Sequence, residues 1–400
     1  MRNLTQAAFV LLVLFAILSP TSLAVAPARA HPHVMPPAEK QRLLERLRSN
    51  ESARKQFEAM KAAANQGKSV EAALVFALEG NHKFADLVRR HLLDHVRDRT
   101  PSLDADIAAG GHRENNMEFY WDTADIRAYD LVYSSLTAED RETIEAFYRK
   151  LGRYWKSSLS LWTTTPNLVF PIHYHAAVIG FCLNDEELIA WGLHDSGGKF
   201  GPTRGGLFPV LGAMLRDGAI WDEATIYAAV NVLQPMMQLA ILHRLYDGTD
   251  LFALEASAAA SIKKLVDGYI ALTYPRERTG VGPGSFQIAT YGDGSTENPH
   301  IKHHNTDAIY LVNLPWSRGN YRHEIIDTIE QAYYVSRDLK YAWFLSHEVE
   351  REPSFLYGEN IPFGSVGPPL VQFFPMLVSQ CCAPMNHRLT GQTDRLPCYR

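Results

Sequence analysis

Apolar residues recur at intervals of three and four along most of the chain, the spacing that places them on one face of an α-helix. "PAEKQRLLERLRSNESARKQFEAMKAAANQ" predicts two surface helices, and "SVEAALVFALEGNHKFADLVRRHLLDHVRDR" predicts a buried pair. The same period predicts helices near 117–134, 137–156, 171–183, 185–195, 205–216, 221–246, 250–272, 321–336 and 338–349. Apolar members alternate with charge-rich ones, as expected where inner helices pair with outer, solvent-facing helices. There is no strand–helix alternation and no sequence repeat. Proline and glycine gather at 275–300 and 353–369. Both stretches read as long loops, the first with room for a short hairpin, and loops of that length are usually functional. The pattern predicts a single all-α domain, residues 31–400, of about six or seven stacked helix pairs.

The first 30 residues change the picture of where the chain works. Arg2 precedes an apolar run at 7–18, and Ala28-Arg29-Ala30 is a small-residue cleavage pattern, so residues 1–30 read as a secretion signal. The expected mature chain begins at His31 and is secreted or periplasmic. Its removal takes two arginines and no acid, leaving 37 basic against 44 acidic residues, a net charge of −7. Such a balance does not suit a nucleic-acid coat, and an anionic substrate would need local positive charge. No later stretch reaches membrane-spanning length, so no membrane partner is expected. Cys182 reads as a core thiol, and Cys381 or Cys382 is placed to pair with Cys398 in an oxidising compartment.

Polar side chains interrupt the apolar helices in several places. In "PNLVFPIHYHAAVIG" Pro171 suits a first helical residue, which puts His173 in the first turn and Asn167 in the loop before it. His173 and His175 point in nearly opposite directions on a helix, so one of them faces a cleft. His173 is favoured for that place, with His175 packed between helices. In "RDGAIWDEATIYAAVNVLQPMMQLAILHRLY" Glu223, Tyr227 and Asn231 form an i, i+4, i+8 stripe on an otherwise apolar helix, and His243 lies too far along to join them. "GSFQIATYGDGSTENPHIKHHNTDAIYLV" adds Tyr291, Lys302 and His303, with His300 and His304. "HRENNMEFYWDTADI" adds Asn116, Tyr120 and Trp121, and "GGKFGPTRGGL" adds Lys199 and Arg204. Amides, imidazoles, phenols and cations thus gather where loops enter helices, and the tryptophans offer stacking platforms for sugar rings. Carbohydrate is the indicated ligand class.

"NLVFPIHYHAAVIG" and "WGLHDSGGKFGPTRGGLFPVLGAMLRDGAIWDEATIY" resemble the α/α-toroid polysaccharide lyases of alginate and related polyuronates. The opening "HPHVMPPAEKQRLLERL" resembles the start of such lyases, and the likeness extends over residues 31–350. Those families open an inner helix with an Asn/His pair and carry an Asp-Gly turn, an acid and a Tyr roughly fifty residues later. Here Ile172 precedes His173, so either Asn167 supplies the amide or the match is shifted; at 226 an Ile stands where the family often has Arg. The resemblance implies an (α/α) toroid that cleaves a 1,4-linked polyuronate, alginate first and glucuronan second, by β-elimination. It implies Asn167, His173, Tyr227 and Tyr291 as the catalytic set. His175, Arg204, Lys199, Glu223, Asn116, Tyr120, Trp121, Lys302 and His303 are grouped as substrate-binding. No cofactor and no metal is expected.

Three other readings compete. A glycoside hydrolase would need two carboxyls, for which Glu223 with Asp125 or Asp293 would serve. A His-ligated metalloenzyme has ligand residues in His173-x-His175 and at His300, His303 and His304, but two histidines two apart on a helix cannot chelate one ion. His31-Pro32-His33 resembles the start of copper sites built on an N-terminal His, yet Pro32 lacks the backbone N–H that a square-planar peptide site deprotonates. A non-catalytic sugar-binding protein is the third.

Overall fold

Asn50 ends one helix and starts the next. Its N–H bonds the Arg46 carbonyl of α1 (Pro37–Ser49), and its side chain accepts from the Ala53 N–H of α2 (Glu51–Asn65). Similar short joints recur along the chain. Gly80, left-handed at φ 73°, closes α3 (Ser69–Glu79), and the Asn81 side chain caps α4 (His82–Ala108). Asn184, at φ 54°, and Asp185 turn α7 (Pro166–Leu183) into α8 (Glu186–His194). The remaining elements are α5 (Thr123–Val132) with a 3₁₀ turn at Tyr133–Ser135, α6 (Ala138–Ser158), α9 (Leu207–Met214), α10 (Gln234–Asp247), α11 (Ile262–Ala271), α12 (Tyr321–Ser336) and α13 (Leu339–Ser346). One antiparallel strand pair, β1 (Thr273–Pro275) and β2 (Phe286–Ile288), sets Thr273 opposite Ile288. This computed structural model describes residues 29–110, 123–158, 166–194, 205–214, 231–255, 260–271, 273–275, 286–288, 321–347, 353–362 and 365–366. Among the described residues no helix is long and apolar enough to cross a membrane.

Among the described residues the protein is all-α apart from that strand pair, as the periodicity predicts. Alternate helices pack on one another: α3 on α5, α5 on α7, α7 on α10 and α10 on α12. The helices α2, α4, α6, α8, α9, α11 and α13 each pack on a member of that row. The row runs in one direction. At one level Arg127 of α5 donates to the Tyr174 hydroxyl of α7 at 2.8 Å, and Tyr174 donates to Gln238 of α10 at 2.5 Å. Further along each helix, Phe181 of α7 meets Tyr246 of α10 edge-on, their ring centres 5.0 Å apart. Ser69 opens α3 beside Asp125 near the start of α5, and Arg244 near the end of α10 donates to the Val335 carbonyl near the end of α12. Packed helices that meet start to start and end to end run in the same direction.

The last described elements come back to the first. Tyr334 of α12 donates to Glu39 of α1 at 2.9 Å, Arg46 donates to the Ser354 carbonyl at 2.8 Å, and Arg42 bonds the Leu356 carbonyl. Glu39 is also held by Arg42, whose guanidinium lies over the Tyr334 ring. Burial beside the Glu39 carboxylate pushes the Tyr334 phenol up to about 12, so it stays a donor.

Four boundaries differ from the periodicity. Helix α4 continues to Ala108 through Pro101, whose missing N–H forgoes one helical bond. Helix α7 starts at Pro166, so Pro171 is an interior residue and Asn167 lies in the first turn. The stretch 231–233 is a wider π-type turn ahead of α10: Pro235 cannot donate to the carbonyl four residues back. Residues 250–255 are not helical, and α11 begins at Ile262. The predicted signal before residue 29 and the three tail cysteines lie outside the described residues; Cys182 is a buried free thiol, as expected of a core position.

Helix α6 opens with a capping box. Asp140 accepts from the Thr137 N–H at 3.1 Å, while Thr137 Oγ1 accepts from the Asp140 N–H. Arg89 of α4 grips the same carboxylate through two 2.7 Å bonds. That guanidinium, seconded by Thr137, holds the Asp140 carboxyl down at about 2, against 3.8 for a free aspartate. A depressed folded pKa stabilises above the unfolded value and stops doing so as pH falls through the folded one. Asp140→Asn is therefore expected to lose about 1 kcal/mol near neutral pH, the usual size of a lost cap. The gap from wild type should close between about pH 4 and pH 2 in urea unfolding series; a gap independent of pH would remove the charge from the account.

Candidate functional site

Helix α7 packs against α5, α6, α8, α9 and α10, so most of its side chains are interior. That placement explains why "PNLVFPIHYHAAVIG" has no polar face: the helix is surrounded. His173 sits fully buried in its second turn, its ring stacked on Trp191 of α8 at 4.0 Å between centres and 24° between planes. Its Nδ1–H donates to the Val169 carbonyl at 3.0 Å, one turn back. Close approach of the backbone makes the pocket. A Cβ at Gly192 would come 2.7 Å from the His173 carbonyl oxygen, and one at Gly205 would overlap the imidazole itself. The expectation of His173 on the rim is thus corrected. The helix begins five residues earlier than Pro171, which carries His173 inward.

His175 is also buried, as expected of a ring packed between helices, with its ring against Tyr174 and Trp155. Burial, with the Arg127 guanidinium nearby, pushes its pKa down to about 3. A neutral, enclosed imidazole is not a contact for a polyanion, so His175 leaves the substrate-binding group. Asn167 and His173 are six positions apart on one helix, which places them about 120° apart around its axis. They therefore do not converge through the helix alone. Asn231 of the predicted stripe is half-buried in the π-type turn. Tyr227, Tyr291, Arg204, Lys199, Glu223, Asn116, Tyr120, Trp121, Lys302 and His303 lie outside the described residues. His243, set aside by position, is paired with Asp247 at 2.9 Å.

The polar groups that the structure brings together are different ones. A half-buried Arg127 and the buried Tyr174 and Gln238 form a chain across α5, α7 and α10. The Tyr174 phenol is driven up by desolvation, against the pull of Arg127, so it remains protonated and bridges as acceptor and donor. Asp125 accepts from His91 Nε2 at 3.0 Å, with His95 Nδ1 at 3.6 Å and Ser69 Oγ at 3.4 Å. That carboxylate raises the His91 pKa and favours the imidazolium. The His91-x-x-x-His95 spacing, one helical face, was the available signal for this pair; nothing local marks Asp125 as its partner. A third group, His31, His33 and Asp130, holds its donor atoms within 4.8 Å of one another. For the hydrolase alternative, Asp125 is already engaged by two histidines.

The Gly205 contact gives a direct test of the His173 pocket. Gly205→Ala is expected to destabilise by about 1–3 kcal/mol through overpacking. In a His173→Ala background the same change should cost less, because the imidazole contact is gone and only the Val169 Cγ1 approach at 2.5 Å remains. A double-mutant cycle by thermal unfolding measures this coupling, and additive effects would place His173 elsewhere.

No protein-family model matches the chain, and no curated protein matches it.

Proposed function

We propose that the chain is an exported (α/α)-toroid lyase that cleaves a 1,4-linked polyuronate, alginate first and glucuronan second, by β-elimination. The observation that carries the reading is the parallel inner row, whose last described helix α12 bonds back to α1. A row of parallel helices with returning outer partners and first-to-last contact is the arrangement that a toroid requires. It also puts the starts of the inner helices at one end. Asn167 lies in the first turn of α7 at that end, where the resemblance expects an amide.

The chemistry follows from what elimination needs. The C5 proton beside a uronate carboxylate becomes acidic only when the carboxylate charge is offset by hydrogen bonds or positive charge. Asn167 supplies an amide donor for that role. A base then takes the C5 proton and an acid protonates the departing 4-O-linked sugar. One tyrosine performs both steps when proton and leaving group share a face of the ring; Tyr227 is the first candidate and Tyr291 the second. His173 enters as a packing residue that seats α7 against α8, and the offset of the carboxylate charge falls to Asn167 with Arg204 and Lys199. A chain of net charge −5, or −7 once the proposed signal is removed, needs such local cations to hold a polyanion.

The deciding measurement is the product. Polymannuronate, polyguluronate and glucuronan are offered in turn, and a C4–C5 double bond is sought by ultraviolet absorbance. Saturated products would end the lyase reading. Tyr227→Phe keeps the ring and removes the hydroxyl, so turnover should fall about 10²–10⁴-fold while the polymer still binds. Unsaturated products from a fully active Tyr227→Phe would move the role to Tyr291.

A further inference from the structure

His31 and His33 meet a carboxylate that lies 99 positions away from His31 in sequence. Asp130, in the last turn of α5, is fully buried; its Oδ1 accepts from His31 Nδ1 at 2.6 Å and its Oδ2 from the Val34 N–H at 2.8 Å. The two rings are fixed in place by aromatic packing. His31 lies flat on Tyr133 at 3.7 Å and 14°, His33 is tilted against His31 at 4.2 Å and 48°, and His33 abuts Tyr246 edge-on at 5.3 Å. His33 is 3% exposed, so neither it nor Asp130 is a surface side chain that happens to pass.

We propose that His31, His33 and Asp130 bind one divalent transition-metal ion, of which zinc and copper are the fitting cases. Two imidazoles and a carboxylate are a borderline nitrogen–oxygen set; calcium and magnesium take oxygen alone, and no thiolate joins. A buried carboxylate is costly unless a cation or hydrogen bonds compensate it, and a metal ion supplies the charge. The site also faces the end of α5, where the helix dipole favours a cation. Pro32 explains why the ion is held by side chains: the peptide nitrogen between the histidines is unavailable, and Asp130 takes the third place. Three protein ligands leave a position for water. Processing after Ala30, part of the function proposed above, would place the freed α-amino group of His31 beside it, but the three side chains suffice without it.

This site is separate from the proposed cleft. Tyr246 links His33 to Phe181, and residues 167 and 181 stand about 21 Å apart along α7. The proposal therefore does not depend on the lyase reading, and its test reads binding instead of turnover. The full chain is stripped with EDTA, dialysed and titrated with Zn(II) alone and with Cu(II) alone by calorimetry. One equivalent per chain is expected, with copper the tighter. Asp130→Asn and His33→Gln each remove one donor at nearly constant size and should weaken binding at least tenfold. His31→Gln, at the ring nearest solvent, serves if the buried variants do not fold. On the wild-type chain, the electron paramagnetic resonance spectrum of one bound Cu(II) should show imidazole nitrogen couplings. No stoichiometric binding, a copper spectrum without nitrogen couplings, or a folded His31→Gln that binds as tightly as wild type would overturn the site.

Discussion

The hydrogen-bond chain from Arg127 through Tyr174 to Gln238 fixes how the inner helices stand. Apolar contact alone would let α5, α7 and α10 slide along one another, because a leucine face is satisfied at many registers. A buried hydroxyl that must accept from a guanidinium and donate to an amide oxygen is satisfied at one. Removing one member strands the others in a low-dielectric interior, which costs more than the bond contributes. The register set there carries upward to Phe181 and Tyr246, and so to the platform on which His33 rests. It also fixes the facing of α7, and with it the burial of His173 and His175.

Close backbone approach does the complementary work between inner and outer helices. Gly180 and Gly192 let α7 and α8 touch where a methyl group would collide with a backbone amide or carbonyl. Trp191 can then lie flat on His173. A histidine used in this way is a packing residue, its Nδ1–H given to the Val169 carbonyl one turn back.

Periodicity made the helices legible because each needs only local spacing: 321–336 is read from sequence with the bounds that α12 has. The joints were legible where a cap is local, as at Asn50 and Asn81. The start of α7 was misplaced because Pro166 and Pro171 are both acceptable near a helix start, and only the tertiary setting shows the second to be interior. The candidate site suffered more. The spacing of His173 and His175 told that they point apart, but not that both points are inside. The partners that matter, Tyr174 with Gln238 or His31 with Asp130, are 64 and 99 positions apart. No local pattern encodes such pairs, since they arise from the order in which helices stack.

Parallel inner helices have one further consequence, which joins the two proposed sites. Each helix carries a partial positive charge at its start and a partial negative charge at its end, and helices aligned side by side add these at the same two ends. The starts gather unpaired N–H groups, which favour anions such as a uronate carboxylate. The ends gather unpaired carbonyls, which favour cations, and Asp130 near the end of α5 adds a full negative charge there. A chain of formal net charge −5 would thus have a physical reason to receive the polyanion proposed above at one end of this helix row and the proposed metal ion at the other. The two proposed sites would be compatible, since neither asks the other end to change its charge.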